Sequence, residues 1–156
     1  MTTHATVAPI QKTVTVNCSV EHAFEVFTER IGQWWPLHVH SIAVDEDGTD
    51  PPETAVMEAG VGGRLYERTA EGEELDWGKV LVWEPPNRLV LEWRPSRKPA
   101  TPTEIDVRFT AEGDGTRVDL THRGWERLGP RGADVRNGYD SGWPTVIQAF
   151  AEAASA

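Results

Sequence analysis

The residues of this chain best suited to acid–base or metal chemistry are three of its five histidines. His122 continues the apolar face of a strand-like run at 116–123, so the two-residue period of a strand points it inward. An inward histidine either forms hydrogen bonds within the core or, beside a pocket, binds or protonates a ligand carbonyl or hydroxyl group. His38 and His40 stand two residues apart and would need a third ligand, His122 or Asp45, to hold a metal. Because the sequence clusters no such ligand beside them, we predict no metal and no other cofactor.

Other signatures of catalysis are absent from the sequence. It contains neither a Gly-x-Ser-x-Gly nucleophile elbow nor a phosphate-binding loop of the Walker type. The glycine-rich run at 60–63 (GVGG) lies between two strand-like segments, so we expect a hairpin turn there. Cys18 is the single cysteine, which excludes an intramolecular disulfide, and we interpret it as a small buried residue rather than a nucleophile. No catalytic residue is assigned, and His122 is the candidate only for an enzyme.

Large aromatic side chains indicate a binding pocket more directly than the polar residues do. Seven tryptophans occur in 156 residues, and each can bury about 150–250 Å² of surface. So many rings in one domain require either a large interface between sheet and helix or a lined cavity for an apolar or aromatic molecule. Tyr66 or Glu67 could add a polar contact to such a cavity, although strand alternation turns only one of them inward. We predict Tyr66.

Size, charge and hydropathy restrict the classes of function. A chain of 156 residues favours one domain, 1–156, with a core over about 10–153. The formal net charge of -10 repels phosphate backbones and anionic lipid surfaces, so we expect neither nucleic-acid binding nor stable membrane insertion. The N-terminus lacks the pattern of a signal peptide, and the lone cysteine suits a reducing compartment, so we expect a cytoplasmic protein, either a monomer or a homodimer.

Hydrophobic periodicity predicts the elements that would position these residues. A period of two predicts strands at 10–16, 54–57, 64–68, 75–84, 88–94, 103–111 and 116–123. Helical spacing runs from Val20 to Trp34, with Ser19 as the N-cap, Gly32 as a break and Pro36 as the end. Residues 37–52 and 124–138 are predicted as loops. A last helix begins near Ser141 and carries Trp143, Ile147 and Phe150 on one stripe. Short turns between the strands favour an antiparallel sheet wrapped about the final helix, an α+β design.

Several segments together resemble a known family. They are residues 20–36 (VEHAFEVFTERIGQWWP), 62–65 (GGRL), 77–80 (WGKV) with 84–86 (EPP), 88–93 (RLVLEW), 116–118 (TRV), 120–125 (LTHRGW) and 142–143 (GW). In this order they resemble the activator of heat-shock-protein-90 ATPase homologue-like group of the SRPBCC superfamily. That superfamily includes lipid-transfer START domains, polyketide cyclases and the birch pollen allergen. Two segments depart from the group's pattern, residues 35–40 and the arginine-rich stretch 124–138.

The resemblance implies a helix-grip fold, in which a curved antiparallel sheet of about six or seven strands grips a long C-terminal helix around a cavity. It further implies that Trp35, Trp83, Trp93, His122 and Trp143 face this cavity. Together with Tyr66, Ile147 and Phe150 these residues form our predicted ligand-binding set. Of the other tryptophans, Trp34 is assigned to the core of the first helix, and Trp77 and Trp125 to the rim.

Three functions remain open from the sequence. The first is a small-molecule binding protein for a hydrophobic or aromatic ligand of lipid or polyketide type. The second is a cyclase or dehydratase that uses the same cavity with His122. The third, implied by the family's name, is a co-chaperone-like activator of a heat-shock-protein ATPase.

Overall fold

The computed structural model describes residues 7–156, so the first residues of the predicted domain 1–156 lie outside the described part of the chain. Across these described residues, seven antiparallel strands form one sheet in the order β1-β7-β6-β5-β4-β3-β2. The strands are β1 Ile10–Val16, β2 Thr54–Met57, β3 Arg64–Arg68, β4 Glu74–Glu84, β5 Arg88–Trp93, β6 Thr103–Glu112 and β7 Gly115–Arg123. The helices are α1 Val20–Thr28, α2 Ile31–Trp34, α3 Ile42–Asp45 and α4 Gly132–Ser155, with a 3₁₀ helix at Trp125–Arg131. The curled sheet packs around α4, which confirms the predicted α+β helix-grip fold.

The paired strands β1 and β7 follow the predicted alternation, whereas β3, β5 and β6 each bury three consecutive residues. In β7, for example, Val118, Leu120 and His122 are buried, whereas the residues between them are partly exposed. The β6–β7 hairpin closes where Glu112 pairs with Gly115, at the predicted turn.

The first predicted helix is two helices in the structure. Ser19 is the N-cap, as predicted, and its Oγ accepts a hydrogen bond from the His22 amide at 3.2 Å. However, α1 ends at Thr28, whose hydroxyl donates to the Phe24 carbonyl at 2.7 Å, a bond that competes with the helical pattern. Gly32 lies inside α2 rather than at a break. A Cβ there would lie 2.6 Å from the Ala55 carbonyl oxygen, so glycine allows α2 to pack directly on β2.

The prediction of a loop over 124–138 and of a helix starting at Ser141 is wrong. The 3₁₀ helix occupies the first part of this stretch, and α4 begins at Gly132. The residues before Ser141 have low intrinsic helix propensity, which tertiary contacts override. Arg136 Nε donates to the Ala8 carbonyl at 2.8 Å, and Asp140 pairs with Lys12 of β1 at 2.9 Å. Similarly, the predicted loop 37–52 contains the short helix α3.

The two ends of the space between sheet and helices are filled differently. At one end α1 and the C-terminal half of α4 press aromatic side chains against the sheet. Phe27 lies 5.2 Å from Phe150 and 5.9 Å from Phe109, and Phe24 lies 5.0 Å from Trp83, measured between ring centroids. At the other end α1 is absent, and only the N-terminal half of α4, α2 and α3 face the sheet. A cavity lies at this second end.

Within residues 7–156, no helix combines the length and apolar character needed to cross a bilayer.

Candidate functional site: a tryptophan-walled cavity

The cavity has a volume of about 310 Å³ and lies between α3, the N-terminal half of α4 and the strands β4 and β5. This volume is at the lower end of the range of about 300–1,000 Å³ typical of small-molecule sites. Its apolar lining consists of Trp35, Ile42, Trp77, Trp93, Pro95, Val135, Gly138, Gly142, Trp143 and Val146. Its polar lining consists of His40, Ser41, Asp45, Glu46 and Tyr139. Apolar walls with a few polar groups at one edge are the usual composition of a ligand site.

Four indole rings form most of the wall, and Trp35 is at their centre. Its ring centroid lies 5.1 Å from Trp77, 5.5 Å from Trp93 and 6.2 Å from Trp143. Trp77 and Trp93 are themselves 5.5 Å apart with their planes at 66°. These edge-to-face and tilted arrangements are the favourable ones for aromatic pairs, so the rings support one another.

Every indole N–H of this wall is bonded to a protein group. The four bonds are Trp35 Nε1 to the His40 carbonyl at 2.8 Å, Trp77 Nε1 to Glu67 at 2.7 Å, Trp93 Nε1 to the Tyr139 hydroxyl at 3.0 Å and Trp143 Nε1 to His122 at 3.1 Å. Each ring is therefore held in one orientation before any ligand enters. The wall presents aromatic carbon to a ligand rather than hydrogen-bond donors.

His122 lies behind this wall and does not line the cavity. It is fully buried, and both ring nitrogens are occupied. An indole can only donate, so Nδ1 accepts from Trp143 and the ring proton is assigned to Nε2. Nε2 then donates to Thr103 Oγ1 at 2.7 Å, and that hydroxyl donates to the Trp93 carbonyl at 3.3 Å.

Burial lowers the pKa of His122 to about 3, so the imidazole is neutral at physiological pH. A neutral ring with both nitrogens bonded cannot exchange a proton with a molecule in the cavity without losing these bonds. His122 thus positions Trp143 and the end of β5. The sequence indicated correctly that His122 points inward, but not that tryptophan and threonine would occupy both nitrogens.

The prediction that Tyr66 rather than Glu67 faces inward is wrong. Tyr66 is on the outer face of β3, where the guanidinium carbon of Arg64 lies 4.3 Å above its ring. Glu67 is fully buried beneath the cavity and accepts from Trp77 Nε1, from the Ile42 amide at 2.6 Å and from the Ala43 amide at 3.0 Å. These three donors compensate the cost of burying the carboxylate, which in turn fixes α3 and Trp77. The inward position is therefore decided by available hydrogen-bond donors rather than by the apolar character of tyrosine.

The polar edge of the cavity combines a phenol, a carboxylate and an imidazole. The Tyr139 hydroxyl accepts from Trp93, which leaves its own hydrogen available for a further partner. Burial raises the pKa of Tyr139, and the nearby Asp45 raises it further, so the phenol keeps its proton at neutral pH. Burial also raises the pKa of Asp45, an effect that His40 partly opposes.

Arg97 joins the three segments around the mouth. Its guanidinium lies 2.8 Å from Asp47, after α3, and 2.8 Å from Glu73, before β4. Its backbone amide donates to Glu46 at 3.0 Å. The segment that follows β5, which includes the lining residue Pro95, is thereby tied to the segment that follows α3.

Two glycines on the cavity stripe of α4 keep this space open. A Cβ at Gly142 would approach the His40 ring to 3.1 Å, so a larger residue would push that ring aside. A Cβ at Gly138 would meet nothing within 4 Å, although this residue lies at the cavity. Small residues on a helix that otherwise presents Trp143 and Val146 thus leave room for a ligand.

The predicted ligand-binding residues divide between the two ends of the fold. Trp35, Trp93 and Trp143 line the cavity. Trp83 and Phe150 pack instead at the filled end, against Phe24 and Phe27 of α1, and Ile147 is partly buried against the core outside the lining. Tyr66 and His122 lie outside the lining, as described above.

Sequence reasoning also misplaced or missed several residues around the cavity. The rim assignment of Trp77 and Trp125 is wrong, since they are 1% and 0% exposed, and Trp77 lines the cavity. His38 is exposed and only His40 reaches the cavity, because the chain turns between them. Among the described residues, no three side chains of the metal-binding types gather into a site. Tyr139 was missed because the last helix was predicted to begin only near Ser141, and Asp45 was considered only as a possible metal ligand, because its segment was predicted as a loop.

Comparisons with known proteins agree with this architecture. Residues 17–155 match the family model described as Activator of Hsp90 ATPase homolog 1-like protein. Among solved structures, the chain is similar to the anthrahydroquino-gamma-pyrone synthase Txn09, with 35% identity over 94% of this chain and 97% of that one, and a TM-score of 0.64. It is also similar to CalC, a self-sacrificing resistance protein from Micromonospora echinospora, with 32% identity over 95% and 94% of the two chains and a TM-score of 0.66.

A more distant structure, MLL2253 from Mesorhizobium loti, shares the fold at 17% identity over 93% of this chain and 95% of that one, with a TM-score of 0.63. No curated protein matches the sequence. The family match spans nearly the whole fold, and two structures exceed 30% identity over almost their full length. The chain belongs to the Activator of Hsp90 ATPase homolog 1-like family of the SRPBCC superfamily.

Proposed function

We propose that this protein binds a small aromatic molecule of polyketide type inside the tryptophan-walled cavity. The observation that carries the proposal is the set of four wall indoles, whose N–H groups are all bonded to protein atoms, so that the wall offers a ligand aromatic carbon and no free donor. Such a wall favours a flat aromatic body over a flexible chain, because offset and edge-to-face ring contacts add to simple apolar burial.

The size of the cavity and its polar edge support the same class of ligand. A cavity of about 150 Å³ can hold benzene, so 310 Å³ corresponds to a ligand of two or three fused rings. The Tyr139 hydroxyl can donate to a carbonyl or phenol oxygen of that ligand. The similarity to a synthase of an anthrahydroquino-gamma-pyrone, an aromatic product, supports this class.

Binding is tested by titrating the purified protein with 2-naphthol, anthraquinone and palmitate and following tryptophan fluorescence. We expect the two aromatic probes to quench the fluorescence saturably and the fatty acid to have little effect. Native mass spectrometry of gently purified protein would show whether a molecule is retained. Equal or stronger binding of palmitate, or no saturable binding of either aromatic probe, would contradict the proposal.

A second candidate function is a cyclase-type enzyme that uses the same cavity. It is favoured by the similarity to Txn09 and by Tyr139 and Asp45, which can act as proton donor and acceptor at the cavity edge, whereas His122 is committed to the wall. Incubation with linear aromatic polyketide mimics, followed by mass spectrometry, would test it. Loss of turnover in Tyr139→Phe with retained ligand binding would support catalysis, and unchanged turnover in this variant would remove Tyr139 from the mechanism.

A further inference from the structure

We propose that the ligand bears a cationic group, a protonated amine, held at the cavity mouth between tryptophan ring faces and the Asp45 carboxylate. This inference rests on the proposed function, because it concerns the polar end of the aromatic ligand. The wall consists of indole rings whose N–H groups are all bonded to the protein, so it offers a ligand aromatic π surface, which carries negative electrostatic potential, and no free donor. Tryptophan faces are the best aromatic partners for a cation, and a cage of them recognises substituted ammonium groups.

The charges around the mouth are mainly negative. Two carboxylates, Asp45 and Glu46, and the imidazole of His40 are the ionisable groups of the cavity edge besides the phenol of Tyr139. Neither a lysine nor an arginine lines the cavity within the described part of the chain. Arg97 lies nearby, but its guanidinium is bound to Asp47 and Glu73. A ligand carboxylate or phosphate would therefore meet like charge, while an ammonium group would meet opposite charge.

Asp45 is the carboxylate that would receive the cation. Glu46 already accepts the Arg97 amide through Oε1. Asp45 forms no salt bridge with any residue of 7–156, although it lies at the mouth of the same cavity as the four indoles. Asp45 is also an exposed residue, so a ligand group at the mouth can reach its carboxylate. An ammonium group placed between Asp45 and the rings would form an ion pair with it.

The test compares three probes with the same aromatic body by isothermal titration calorimetry at pH 7.5 and low salt. They are 1-naphthylmethylammonium, the neutral 1-naphthalenemethanol and the anion 1-naphthoate. We expect the ammonium probe to bind about tenfold more tightly than the alcohol and the anion to bind most weakly. Asp45→Asn should weaken the ammonium probe about five- to tenfold and change the alcohol less than twofold, as expected for one partly screened charge pair. The matched control Asp114→Asn removes the same charge from an exposed hairpin turn and should leave all three affinities unchanged.

The outcomes separate this inference from the proposed function. If none of the three probes binds, the proposed function fails and the inference fails with it. If the alcohol binds as tightly as the ammonium probe and loses its affinity when Gly138→Leu blocks the mouth, the aromatic cavity stands and the cationic ligand is wrong. Equal weakening of the ammonium probe by Asp45→Asn and Asp114→Asn would likewise overturn the inference, because it would assign the effect to net charge.

Discussion

Gly138→Leu is the substitution that most directly tests whether ligands enter this cavity. Gly138 lies inside α4 on the stripe that faces the cavity, and a Cβ there meets no heavy atom within 4 Å. Replacing a helical glycine by alanine or leucine removes a penalty of about 0.5–1 kcal/mol. Partial burial of the leucine side chain against the mouth adds up to about 1 kcal/mol. The free energy of unfolding should therefore rise by about 0.5–2 kcal/mol, and Tm by about 1–8 °C for a protein of this size.

Ligand binding should change in the opposite direction. Four added carbon atoms at the mouth compete with the ligand for the same space, so the affinity for an aromatic probe should fall at least about tenfold, which corresponds to about 1.4 kcal/mol. Gly138→Ala is the matched control, since it has the helical benefit with a single methyl group and should retain most of the affinity. The assays are urea unfolding and fluorescence titration. If the Gly138→Leu protein is more stable and still binds the probe with undiminished affinity, this cavity is not the ligand site. If the variant is less stable than the parent protein, the space beside residue 138 is not open.

Three further perturbations follow from the contacts around the cavity. Arg97→Ala should release the segment after β5 and accelerate ligand dissociation severalfold in stopped-flow experiments, with little change in Tm; an unchanged rate would contradict its role at the mouth. Glu67→Gln leaves one buried amide without a good acceptor and should lower the free energy of unfolding by about 1–3 kcal/mol in urea, whereas a neutral outcome would argue against its three hydrogen bonds. The pKa of His122 is about 3 in the folded protein against 6.5 when exposed, so the unfolded state binds the proton first and stability falls as the pH drops from 6.5 towards 3. This histidine alone should remove about 2 kcal/mol between pH 7 and pH 5, a loss that His122→Gln should lack, and an equal loss in that variant would assign the effect to other groups.

Local patterns in the sequence were sufficient for the sheet. In the strands at 10–16 and 116–123, side chains alternate between core and solvent, so two-residue periodicity determines both the element and the buried face. Ser19 is equally local, because a helix N-cap depends on a hydroxyl and an amide three residues apart. The order of these elements then favours one architecture, since an antiparallel sheet with one apolar face needs a helix to cover it.

The site itself depends on contacts between residues far apart in the chain. Whether Tyr66 or Glu67 faces inward is decided by donors on α3 and by Trp77, and the start of α4 is decided by contacts with β1 and the segment before it. Seven tryptophans in the sequence already indicated a pocket or an unusually large core. Only the packing of α1 against one end of the sheet determines where the aromatic rings form a filled core and where they line a pocket. At that end the rings fill the interior. At the other end α1 is absent, and the indole rings, each fixed by a hydrogen bond, line a cavity beside Gly138 and Gly142 of the facing helix.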